Sequence, residues 1–206
     1  MSTNVTPGRF IGLVFLLLLP CYGLWYLLAP ALVKPALGFA HLLMTHWMPG
    51  IVSAVQMDGT QALILTQFGE LEGKLVSAQA VGHAIGLAVN TQILSYSIPF
   101  YSALMLATPG ENKLARYANG IICLYVVLTL SLVCLCLKQL MTNLGHHYTD
   151  QGSLLQPSPN LIALLFQLST LILPVLTPVV LWLWQSKDTP LLKGLLLPLT
   201  AKPDQP

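Results

Sequence analysis

Apolar positions along this chain fall into a few long, uninterrupted blocks. They show neither the short alternations of strands nor the narrow stripes of soluble helices. A membrane-spanning helix needs about 20 mostly apolar residues, because it must cross about 30 Å of hydrocarbon with its backbone hydrogen bonds made internally. Three blocks meet that requirement: Phe10 to Val33 between Arg9 and Lys34, Tyr117 to Leu137 between Arg116 and Lys138, and Leu161 to Trp184 ahead of Lys187. A fourth block, Thr91 to Thr108, has no charge but carries Gln92, Ser95, Tyr96, Ser97, Tyr101 and Ser102, so hydropathy ranks it last.

The distribution of charge decides in favour of the fourth block. With four spans and a cytoplasmic N-terminus, Arg9, Lys113, Arg116, Lys187, Lys193 and Lys202 fall inside and Lys34, Lys74 and Lys138 outside, six against three, in keeping with the positive-inside rule. Without the Thr91 to Thr108 span, Lys113 and Arg116 move outside. The predicted organisation is therefore a cytoplasmic N-terminus (1–9), spans at 10–33, 91–108, 117–137 and 161–184, and a periplasmic segment (34–90). A cytoplasmic loop (109–116), a periplasmic loop (138–160) and a cytoplasmic tail (185–206) complete it. The fold class is a membrane protein, mainly α, with about four transmembrane helices and a small β-containing periplasmic insertion between the first and second. The location is a bacterial inner membrane, with both termini cytoplasmic. Arg9, the apolar run and Ala29-Pro30-Ala31 resemble a cleavable signal, but the run far exceeds the ~7–15 residues of such a core, so a retained span is expected.

The periplasmic segment has its own pattern. From Ala36 to Trp47, Ala36, Ala40, Leu43 and Trp47 share one helical side and His41 and Thr45 the other, which predicts a helix lying at the membrane interface. Ile51 to Met57 and Thr60 to Gln67 are rich in β-formers, and Asp58-Gly59 between them suits a type I′ hairpin. A third strand over Lys74 to Gln79, after the Gly69 to Gly73 turn, would complete a small sheet packed on a partner or on the bilayer. In the tail, apolar Gly194 to Leu199 is too short to span and is expected to graze the inner leaflet.

Composition narrows the function classes. Of 206 residues 55% are hydrophobic and 8% charged, where soluble domains carry about a quarter charged residues, so a soluble fold could not cover its surface. The nine basic residues stand singly and form no run that could track a phosphate backbone, which excludes nucleic acid as a partner. Cys21, Cys123, Cys134 and Cys136 all lie in or at the ends of apolar runs and read as packing residues rather than disulfides. No acidic residue falls inside a span, which argues against an ion-coupled pump.

Candidate chemistry is sparse. His41, His46, His83, His146 and His147 all fall on the outer side, and His146-His147 with Asp150 offers nitrogen and oxygen ligands. Adjacent histidines point apart, however, and zinc patterns use wider spacing, so neither a metal site nor a cofactor is expected. Cys136 precedes His146 and His147 in the next loop and invites comparison with a thiol enzyme. Such an enzyme needs a base that lowers the thiol pKa and a group to hold an oxyanion, and no arginine is predicted outside. The chain therefore reads as a non-enzyme, with a thiol or metal-dependent factor at the outer face as one alternative and a small oligomeric transporter as another. The most informative stretch runs from Asn90 to Thr108. On a helix Gln92, Ser95 or Tyr96, Pro99 and Ser102 share a face, and Pro99 frees a carbonyl near its middle. Such a face serves either as internal glue against the proline-containing last helix or, with Asn90, as a partner-binding surface.

The residues Asn90-Thr91 through Tyr96, Pro99-Phe100, Ala103-Leu104 and Ala107-Thr108-Pro109 resemble the central motif of the exosortase H-associated membrane proteins. The Leu19-Pro20-Cys21 and Trp25-Tyr26-Leu27-Leu28-Ala29-Pro30 stretches of the first span are similar too. The resemblance implies a small bacterial inner-membrane protein encoded beside an exosortase, a cysteine transpeptidase that processes C-terminal sorting signals. It implies an accessory protein whose partners are the bilayer and an exosortase-like enzyme or its substrate transmembrane segment, and it carries over no catalytic residue.

Overall fold

The computed structural model describes residues 7–110, 112–150, 157–189 and 191–192. Expectations for 1–6, 151–156 and 193–206, the Gly194 to Leu199 stretch among them, lie outside the described residues. The protein is mainly helical with a small sheet region. Three helices are long and apolar enough to cross a membrane: Gly8–Trp47, Lys113–Leu144 and Pro159–Ser186. Only 6% of the most apolar window of the first is buried against the protein itself, and Phe15, Leu16, Leu19 and Leu27 are all exposed. Side chains of that kind at the surface are at home in lipid rather than in water.

Helix α1 (Pro7–Trp47) runs unbroken through Pro20, Pro30 and Pro35. The predicted boundary at Lys34 therefore vanishes, and the expected interfacial helix is the last part of α1. A proline removes one backbone donor, and nearby polar side chains can serve the loosened carbonyls. Pro35 withholds its amide from the Ala31 carbonyl, and one residue further on the Tyr125 hydroxyl donates to the Leu32 carbonyl at 2.9 Å. The buried stripe is Ala29, Val33, Ala36, Leu37, Ala40 and Met44, whereas Leu43, placed inside by the sequence pattern, is exposed. Small residues along that stripe permit close backbone approach.

Between α1 and the next helices lie strands β1 (Val52–Asp58), β2 (Gln61–Thr66), β3 (Phe68–Leu71) and β4 (Lys74–Ser77), helix α2 (Ala78–Val81) and strand β5 (Gly86–Val89). The first hairpin is as expected but its turn is shifted by one residue. Asp58 pairs with Gln61, so Gly59 and Thr60 form the loop, and only Gly59 has positive φ, the pattern of a II′ rather than an I′ turn. The predicted third strand exists as β4, but it pairs antiparallel with β3 in a separate two-stranded ribbon. Glu72 and Gly73, both at positive φ, make its I′ turn. The strand that completes the first sheet is β5, giving the order β1-β2-β5. Its four residues Gly86-Leu-Ala-Val are too few to show a period.

The segment expected as the second span forms two short helices, α3 (Gln92–Ser95) and α4 (Ser97–Ala107), separated at Tyr96. Pro99 coincides with the break: it has no amide to give the Ser95 carbonyl, and its ring crowds that oxygen in a regular helix. Helix α5 (Lys113–Leu144) and the short α6 (His146–Asp150) follow. Ser158 caps α7 (Pro159–Gln167), accepting from the Leu161 amide at 3.4 Å with Pro159 in the first turn. A wide π turn, Leu168–Ile172, then leads into α8 (Leu173–Ser186). The Leu173 amide reaches back to the Leu168 carbonyl, and Pro174 immediately after cannot supply the ordinary α bond.

The chain divides into two compact units, 1–27 with 96–124 and 175–206, and 28–95 with 125–174. In the first, Phe10, Tyr101, Leu104, Met105, Leu124 and Trp182 belong to one hydrophobic cluster. In the second, the largest fully buried side chains include Met44, Ile64, Leu132, Leu140 and Tyr148.

Candidate partner-binding segment and its polar support

Of the residues picked out for partner binding, Asn90, Gln92 and Ser95 lie in the second unit and Tyr96, Pro99 and Ser102 in the first. Asn90 is exposed, and its Oδ1 accepts from the Gln92 amide at 3.0 Å, starting α3 in the manner of an Asx turn. Gln92 is half-buried, while Ser95 is fully buried and its hydroxyl lies 3.4 Å from the Gln92 carbonyl. In the first unit, Tyr96 is half-buried and its carbonyl, at the break between α3 and α4, accepts from the Tyr22 hydroxyl of α1 at 3.4 Å. Pro99 is buried. Ser102 donates to the Ile98 carbonyl at 2.8 Å, so its 2.9 Å bond with Tyr117 is donated by the Tyr117 hydroxyl.

The same part of the first unit holds a polar cluster that sequence reasoning missed. Tyr101 is fully buried, its ring stacks on Tyr117 with centroids 5.8 Å apart, and its hydroxyl donates to Gln185 Oε1 at 2.7 Å. Arg116 Nη1 donates to the Gln185 backbone carbonyl at 3.2 Å. Thr108, 1% exposed, donates to the Leu104 carbonyl and accepts from Trp182 Nε1, both at 2.7 Å. Trp182 in turn stacks on Phe10 at 5.3 Å. Four helices, α1, α4, α5 and α8, thus meet through hydrogen bonds and stacked rings, which is how association proceeds where lipid offers no hydrophobic drive. The internal glue expected between the second and last spans is present, but Tyr101 and Thr108 supply it, while Ser102 bonds to α5.

Gly120 on α5 completes the arrangement: a Cβ there would collide with the Tyr101 hydroxyl and ring. A glycine near the start of the span read at 117–137 is the sequence feature that could have pointed to this close approach. The partners themselves leave no signal, since Tyr101 and Gln185 are 84 positions apart.

The residues proposed for outer-face chemistry belong to the second unit. Cys136 is fully buried, so no substrate reaches its sulfur in this conformation. His146 and His147 are exposed, and the His147 ring lies 5.7 Å from that of Phe68. The Asp150 side chain is outside the described residues, among which no group of three or more His, Cys, Asp or Glu is placed to hold a metal. His41 has a structural task, its Nδ1 accepting from the Val55 amide at 3.0 Å and so fastening β1 to α1. Gln139 Nε2 does the same for the sheet from α5, donating to the Ala88 carbonyl at 3.2 Å.

A family model described as exosortase H-associated membrane protein matches residues 4–189. Searches of curated proteins and of solved structures return no match.

Proposed function

We propose that this chain, which belongs to the exosortase H-associated membrane protein family, is an accessory protein that binds an exosortase-like membrane transpeptidase or the transmembrane sorting segment of its substrate. The observation that carries the reading is the family match over 4–189, nearly the whole chain. The name of the family speaks of association with the enzyme, and the burial of Cys136 fits a supporting rather than a chemical role.

The topology belongs to the same proposal. The described basic residues fit four passes from an inward N-terminus, with Arg9, Lys113, Arg116 and Lys187 on the cytoplasmic side and Lys34, Lys74 and Lys138 on the periplasmic side. The α3–α4 pair then makes the second pass as a broken helix. Irregular backbone is tolerated at membrane depth where protein covers it, and the Tyr22 hydroxyl at the Tyr96 carbonyl supplies that cover.

Partner contact is assigned to the accessible part of this segment. Asn90, Gln92, Tyr96 and Ser102 keep surface, together with exposed Ile93 and Leu106, while buried Ser95 and Pro99 set the shape of the break. The test is co-purification from native membranes. Asn90→Ala with Gln92→Leu is expected to lower recovery of the exosortase or its substrate about tenfold at unchanged expression, the order expected when two interhelical hydrogen bonds are lost. Undiminished recovery would remove these residues from the contact.

A further inference from the structure

A cavity of about 500 Å³ in the first unit is lined by Arg116, Asn119, Ile122, Cys123, Trp184, Gln185 and Lys187. Apart from the Asn119 amide, which offers both donor and acceptor, its polar inventory is lopsided. The acceptors of Gln185 are already used, Oε1 by Tyr101 and the backbone carbonyl by Arg116 Nη1. The donors are left over: Arg116 Nε and Nη2 and Gln185 Nε2 are shielded from solvent and meet no acceptor among the described residues. A shielded donor without an acceptor is costly, and for a guanidinium more so. Nε and Nη2 are, moreover, the two donors on one edge of the guanidinium, the edge that grips a phosphate or carboxylate with two parallel bonds. Lys187 adds a second positive charge, and among the described residues no acidic one lines the cavity.

The other half of the wall is apolar. Ile122 and Trp184 are each 63% exposed and line the cavity with Cys123, Trp184 near the end of α8 and Ile122 in the third turn of α5. A tryptophan next to a lysine at such an end marks the depth of the lipid headgroups. Positive groups beside an apolar wall match a molecule with a phosphate at one end and hydrocarbon at the other. Basic pockets between membrane helices take headgroups of this kind.

We infer that the Arg116, Gln185 and Lys187 cavity binds the phosphate of an anionic phospholipid headgroup, with the first part of its acyl chain against Ile122 and Trp184. The phosphate would meet the positive charges of Arg116 and Lys187, and it would fix the ends of α5 and α8 that Arg116 and Gln185 already join.

The experiment uses the purified, delipidated full-length protein in mild detergent, with thermal unfolding and Trp fluorescence followed on addition of phosphatidylglycerol, phosphatidylcholine or inorganic phosphate. Phosphatidylglycerol is expected to raise the melting temperature at micromolar concentration, and Lys187→Gln, at an exposed position, to weaken its binding about fivefold, the share of one basic residue near an anionic surface. Arg116→Gln should weaken it further. Should that variant fail to fold, Lys187→Gln alone decides. Equal stabilisation by phosphatidylcholine would overturn the anionic preference, and equal stabilisation by inorganic phosphate would overturn the lipid source. Unchanged phosphatidylglycerol affinity in Lys187→Gln would overturn the site.

Discussion

At the scale of single residues, the chain uses a small set of polar side chains to join helices that lipid would not hold together. Tyr101 is the centre of that set, bonded to Gln185, stacked on Tyr117 and seated over Gly120. Two effects compete at Gly120. Alanine is the better helix former by about 1 kcal/mol, so propensity alone predicts that Gly120→Ala stabilises the protein. The added methyl would have to share the space of an aromatic ring that cannot swing aside, and overpacking of this kind costs about 1–3 kcal/mol. Packing is therefore expected to win. Gly120→Ala should lower the melting temperature in detergent, and a rise would show that the Tyr101 ring is not held against α5. Little of this was legible in the sequence: Tyr101 reads as one of several polar residues in a weak span, and nothing local marks Gln185, Arg116 or Trp182 as its neighbours. The cysteines were more transparent. Four thiols in apolar runs read as packing residues, and Cys136 is fully buried.

At the scale of elements, prolines decide where helices break and where they do not. Pro20, Pro30 and Pro35 leave α1 continuous, whereas Pro99 coincides with the break at Tyr96 and Pro174 with a π turn. The sequence pattern ends the first span at the charge of Lys34 and so divides α1 in two. It recognises that Pro99 frees a carbonyl but not that the segment breaks there. The distinction lies in tertiary support, which a sequence window does not contain. Pro99→Ala tests the cause directly. The new amide can donate to the Ser95 carbonyl, so slow hydrogen exchange at residue 99 is expected together with a continuous helix across Tyr96. Fast exchange at that amide would mean that packing, not Pro99, imposes the break. The sheet shows the same division between local and distant information. The turn read at Asp58-Gly59 is off by one residue, and the turn read over Gly69 to Gly73 shrinks to Glu72 and Gly73, because Phe68–Leu71 pairs with β4 as strand β3. Strand β5 pairs with β2 more than twenty positions away and carries no period of its own.

At the scale of the whole molecule, membrane character was the most legible property, because the requirement that lipid places on a spanning helix is written in every residue of the span. The three long helices coincide with the three strongest apolar blocks. The family was legible through the Asn90 to Pro109 motif, and the family match extends that likeness across 4–189. The central claim is association with an exosortase-like enzyme or its substrate segment through the α3–α4 region. The most direct measurement places a photoreactive residue at position 92 and irradiates the native membrane before the covalent adducts are identified. The account predicts an adduct with the exosortase or with a sorting-signal segment. Adducts with copies of this chain alone, at normal expression and folding, would contradict it.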